Sequence, residues 1–177
     1  INQGDVNFEL QLDSSDDFAI YKDGLLTSAH QVKAKIAEYR SGYIPALEKS
    51  SAIEFDRIKG ISRFLHVSIE LDDSSDYKGT SGELVQFYSY GKNKHCGLGE
   101  IEELTKAIIE KICSNRAILL SPELIHYNYC RLSEKISTKA VEIHRLVQVD
   151  RLKANKAAYD SRITAQSLLD KKKKKNP

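Results

Sequence analysis

The chain has 177 residues, 41% of them hydrophobic and 29% charged, and a net charge of only +2 at pH 7. This length buries one sizeable core, and the near balance of charge excludes a global field for nucleic acid, so any such affinity must come from local clusters. No apolar run approaches the roughly 18 residues of a membrane span and these residues carry no signal-peptide pattern, so no membrane partner is expected. Three widely spaced cysteines, Cys96, Cys113 and Cys130, form no CxxC pair, which points to a reducing, cytoplasmic setting rather than a disulfide framework. Methionine is absent and the chain opens Ile1-Asn2-Gln3; it is either an excised piece of a longer protein or a chain with modified methionines.

Residues 6–12, VNFELQL, alternate strictly, with Val6, Phe8, Leu10 and Leu12 on one face, and predict a half-buried strand. DSSD at 13–16 is turn chemistry. A second strand follows over 17–22, a turn on Asp23-Gly24, and a third strand over 26–33. Residues 34–52 carry Ile36, Tyr39, Tyr43, Ile44 and Leu47 around Gly42 and Pro45, the pattern of a broken helix. SRFLHVSIELDD, 62–73, reads as a strand, DSSDYKGTSG, 73–82, as a loop, and ELVQFYSY, 83–90, as a strand.

Residues 99–115 place Ile101, Leu104, Ile108 and Ile112 at helical spacing. SPEL at 121–124 starts a further helix, with Ser121 as N-cap and Pro122 in the first turn. Its stripe runs Leu132, Ile136, Ala140, Ile143, Val147, and another helical stretch reaches Leu169. The expected fold is mixed α/β, divided into a sheet core at 1–98, a helical section for packing or docking at 99–170, and a basic tail at 171–177.

Gln31 and Lys33 share one strand face. A two-residue turn at Asp23-Gly24 pairs Asp16 with Gln31, whereas a three-residue turn pairs Asp17 with Gln31. The second register puts Phe18, Ile20 and Val32 together, which favours Asp17 and leaves Asp16 as the fallback. An acid, an amide oxygen and an ammonium group suit metal-assisted phosphodiester hydrolysis, because Mg²⁺ takes hard oxygen ligands and a nearby lysine offsets charge on the phosphoryl oxygens. A cross-strand acid–lysine pair is also ordinary surface decoration.

The segment FELQLDSSDDFAIYKDGLLTSAHQVKAK resembles the catalytic core of PD-(D/E)XK nucleases in the QxK variant, as found in bacterial antiphage effectors that include ABC-three-component systems. FYSYGKNKHCGLGEIEELTKAII and LSEKISTKAVEIHRLVQ resemble the C-terminal domain of ABC-three-component proteins. The resemblance implies a restriction-endonuclease-like core and Mg²⁺- or Mn²⁺-dependent cleavage of DNA. It implies Asp17 and Gln31 as metal ligands, Lys33 as the catalytic lysine, and Glu9 as an acid from an earlier element. It also implies a separate ATPase chain as partner. Lys35 and Arg40 are candidates for following a phosphate backbone. The competing expectation is a non-catalytic interaction or homo-oligomerisation module built on residues 99–169.

Other constellations are weaker. His126 and Cys130, four apart on a helix, fit zinc spacing, but no second pair accompanies them beyond adjacent His95-Cys96. His30 points with Val32 and is expected to be a core or interface residue, and His144 a packing or partner contact. YSYGKNKHC interleaves aromatic and basic residues and is read as core plus hairpin. No GxxxxGK[ST], GxGxxG or GxSxG occurs, which leaves nucleotide-binding loops and serine acyl transfer without support.

Overall fold

Asp23 and Gly24, at φ of 51° and 75°, make the turn between strands β2 (Phe18–Lys22) and β3 (Leu25–Lys33). Two residues in the left-handed region give a two-residue hairpin whose twist matches its strands, and Lys22 pairs directly with Leu25. The expected three-residue turn is therefore corrected to two. The register nevertheless shifts by one further along, because Tyr21 faces Leu26 while Ile20 faces Ser28, leaving Thr27 as a bulge whose hydroxyl donates to the Ile20 carbonyl at 2.8 Å. Phe18 then faces His30, where the β2–β3 ladder ends, with Asp17 just ahead of it.

The computed structural model describes residues 7–13, 17–34, 37–52, 60–80, 83–149 and 153–169. Ahead of the hairpin lies β1 (Phe8–Leu12); after it come a 3₁₀ turn (Arg40–Tyr43) and α1 (Ile44–Ala52). Next are β4 (Ser62–Val67), β5 (Tyr77–Lys78) and β6 (Leu84–Phe87). The chain continues through α2 (Leu98–Ser114), α3 (Pro122–Gln148), α4 (Ala154–Asp160), β7 (Ile163–Thr164) and α5 (Ala165–Leu169).

These strands form a seven-stranded mixed sheet in the order β5-β6-β4-β3-β2-β1-β7. β1, β2 and β3 form an antiparallel meander, and β3, β4 and β6 run parallel. A parallel neighbour needs a crossover, which the segment holding α1 supplies between β3 and β4. Tyr43 and Leu47 from that segment pack with Leu65, Val67, Val85 and Phe87 to make the main core.

The expected strand over 62–73 stops at Val67, and the expected loop at 73–82 contains β5. The stretch toward Leu169 is not one helix: β7 interrupts it and pairs with β1. Segments from both ends of the sequence thus meet at one sheet edge.

Both long helices start on capping residues, the second on the expected Ser121 and the first on Gly97, a cap not expected from the sequence. Glu100 reaches back to accept from the Gly97 N–H at 2.7 Å, and Ser121 Oγ accepts from the Leu124 N–H at 3.4 Å with Pro122 in the first turn. On α3 the expected stripe is buried or half-buried, and Ile143 packs on Ala157 and Ala158. On α2 the packing face is one residue away from the expected one. Glu102, Thr105, Lys106, Ile109 and Cys113 are half-buried, while Ile101, Leu104, Ile108 and Ile112 stay between 38% and 53% exposed. Among the described residues, no helix is long and apolar enough to cross a membrane.

Candidate functional site

Along β3 the side chains alternate, so Gln31 and Lys33 take one face and His30 and Val32 the other. Pairing of Gln31 with Leu65 and of Lys33 with Val67 places the first two on the core-bearing face. Gln31 is 2% exposed, and its amide oxygen has no hydrogen-bond partner among the described residues. Such an orphan is costly unless something polar meets it. Lys33, one pleat nearer the strand end, is half-buried.

Asp17 is exposed and precedes β2. Its Oδ2 accepts from the Val32 N–H at 2.5 Å, so the carboxylate is fastened to β3 between Gln31 and Lys33 in sequence. It sits at the end of the sheet, and its charge also reaches His66 on the opposite face.

The remaining candidates are dispersed. Glu9 faces Tyr21, four residues along β2 from Asp17 and thus roughly 13 Å away along the strand. Its carboxylate pairs with Arg162 at 2.8 Å. The Arg40 guanidinium is bound by Asp73 at 2.5 Å, Ser75 Oγ at 2.6 Å and the Asp76 carbonyl at 3.3 Å, so a phosphate there would have to displace internal partners. Asp16, Lys35 and the tail at 171–177 lie outside the described residues. His126 contacts Cys130 at 3.5 Å and Glu102 at 3.9 Å, and His144 binds Asp13 at 3.0 Å. Among the described residues, no group of three or more His, Cys, Asp or Glu side chains is arranged to hold a metal ion. A divalent cation at Asp17 would therefore depend on one carboxylate, the Gln31 amide oxygen, water and substrate, a sparse set that Mg²⁺ accepts.

The opposite face carries a constellation that sequence reasoning missed. Ser28 Oγ lies 2.8 Å from His30 Nε2, His30 Nδ1 lies 2.9 Å from His66 Nε2, and His66 Nδ1 lies 2.6 Å from the Tyr90 hydroxyl. Phe18 stacks on His30 at 4.4 Å and Tyr88 on His66 at 4.5 Å. Burial, reinforced by His66, lowers His30 to about 3. Burial lowers His66 to about 4 against the opposing charge of Asp17. Burial likewise pushes Tyr90 up to about 12. A neutral imidazole offers one donor and one acceptor, so the four groups are satisfied as a one-directional chain. The signal was a period of two: Ser28/His30, Phe64/His66 and Tyr88/Tyr90 fall on one face of three neighbouring parallel strands and their continuation.

Residues 85–174 match the family described as C-terminal domain 1 (CTD1) of the ABC-three component (ABC-3C) systems. No curated protein and no solved structure gives a significant match. The matched segment starts in β6 and includes α2, α3, α4 and β7, so it contributes both the long helices and two sheet strands.

Proposed function

The chain belongs to the CTD1 family of ABC-three component systems, and from that premise we propose that it is a bacterial antiphage-defence component that cleaves DNA in a metal-dependent reaction at Asp17, Gln31 and Lys33. The observation that carries this reading is the buried amide oxygen of Gln31, unpartnered among the described residues, on the same strand as Lys33, with Asp17 fastened to the intervening backbone N–H.

Asp17 Oδ2 is committed to Val32, so ligation falls to Oδ1, with the Gln31 oxygen as a neutral second donor. When bound, Mg²⁺ or Mn²⁺ lowers the pKa of a coordinated water and neutralises charge on phosphate. Lys33 places an ammonium group where it offsets negative charge building on the phosphoryl oxygens and orients the attacking water. Val32 N–H keeps the carboxylate from swinging away from β3.

Titrating Mn²⁺ into the protein by calorimetry is expected to give weak, saturable binding that Asp17→Ala abolishes and Glu9→Ala leaves unchanged, since Glu9 is held by Arg162. Equal binding in wild type and Asp17→Ala would remove Asp17 from the site.

A second reading rests on α2. Ile101, Leu104, Ile108 and Ile112 form a stripe that stays about half exposed, as in a docking or oligomerisation helix. Under this reading the chain is a non-catalytic module that engages a partner ATPase chain or another copy of itself. Ile108→Glu is expected to leave the unfolding free energy read from urea denaturation within about 0.5 kcal/mol of wild type, as exposed substitutions do, while dissociating any oligomer seen by light scattering. An unchanged oligomeric mass would exclude this stripe as the self-contact.

A further inference from the structure

The parallel strands β3, β4 and β6 all end on the same edge of the sheet, at Lys33, Val67 and Phe87. Ligands of open α/β sheets collect outside such carboxyl ends. Beyond Phe87 the chain forms an ordered loop across that edge: the Tyr90 N–H donates to the Asn93 carbonyl at 2.8 Å, Gly91 supplies the left-handed residue at φ 93°, and the Cys96 N–H donates to the Val67 carbonyl at 3.0 Å. The loop and the segment after β4 bound a cleft of about 300 Å³, lined by Lys92, Asn93, Lys94 and His95 on one wall and by Glu70 and Ser74 on the other.

We propose that this loop guides the phosphate backbone of DNA into the site at Lys33, an inference that rests on the nuclease reading above and assigns its substrate-binding element to residues 92–95. Lys94 is held in place by the Ser74 carbonyl at 2.9 Å, with Asp76 at 4.0 Å. Phosphate would compete with Ser74 and Asp76 for Lys94, so Lys94 braces the loop, and the exposed Lys92 beside it is the loop's phosphate contact. Asn93 and His95 add polar side chains to the same wall. Glu70 repels phosphate from the opposite wall and so confines a strand to the lysine side.

Span selects the ligand. From β3 to β6 is two strand spacings, about 10 Å, whereas backbone phosphates advance about 3.4 Å per nucleotide along one strand. A run of several nucleotides reaches both Lys33 and the loop, and a single phosphate does not. The loop also supplies what Arg40 does not, because its guanidinium is already bound to the 73–76 segment.

The test is binding of the full chain to a short fluorescein-labelled DNA duplex, followed by anisotropy in EDTA across a salt series. Lys92→Ala is expected to raise Kd about threefold to tenfold and reduce the salt slope by about one, as the loss of one phosphate contact does. Lys92→Arg should restore both. Wild-type affinity and slope in Lys92→Ala, or no duplex binding by the wild-type chain, overturns the proposal. Because divalent cations are absent, this outcome is independent of whether Asp17 holds a metal. A Lys92 effect without cleavage would retain the guide and remove the nuclease.

Discussion

Acidification from about pH 7.5 to about pH 4.5 is expected to lower the urea midpoint steeply. His30 and His66 are held at about 3 and about 4 in the folded chain against 6.5 when exposed. Between 6.5 and those values the unfolded state binds more protons than the folded one, so stability is complete above 6.5 and falls as pH drops toward 4 and then 3. Each pKa unit is about 1.4 kcal/mol, so the pair puts several kcal/mol at stake, comparable with the whole stability of an ordinary domain at about 5–15 kcal/mol. His66→Gln should be less stable than wild type near neutrality and show a flatter pH dependence. A wild-type midpoint that does not move between the two pH values would show that the imidazoles are not held neutral by burial.

The second large effect separates the two halves of the helical section. Ile143→Ala is expected to cost about 2–4 kcal/mol, because Ile143 is 1% exposed among Ala157, Ala158, Leu12, Leu146 and Val147, and its removal leaves a cavity. Ile108→Ala on the exposed stripe of α2 should cost less than about 1 kcal/mol. Urea denaturation of the two variants beside wild type reads this directly. Equal costs would mean that α2 is as deeply packed as the end of α3.

The parts of the fold written in local chemistry were legible. Alternation in FELQL and LVQF, the Asp23-Gly24 turn and the Ser121-Pro122 cap each depend on neighbours within a few residues. Parts set at a distance were not. β7 is two residues long and exists because β1 offers an open edge, which no pattern around Ile163 could announce. The packing face of α2 was misplaced because Ile101, Leu104, Ile108 and Ile112 outrank Thr105 and Lys106 in hydrophobicity, yet the latter side turns toward α3. The hairpin register illustrates a third case. The sequence suggested a one-residue shift through an enlarged turn, while the chain makes that shift through a bulge at Thr27 and carries it as far as the Phe18–His30 pair. The Ser28–His30–His66–Tyr90 chain needed the parallel pairing of β3 and β4 before its period-two signal acquired meaning.

Cleavage of supercoiled DNA by the purified chain in Mg²⁺ or Mn²⁺, beside Asp17→Ala and Lys33→Ala, tests the proposed chemistry most directly. Metal-dependent nicking should be present in wild type and fall at least about 100-fold in each variant, with the folded circular-dichroism spectrum retained. Undiminished cleavage by Lys33→Ala, or none by wild type in either metal, would contradict it.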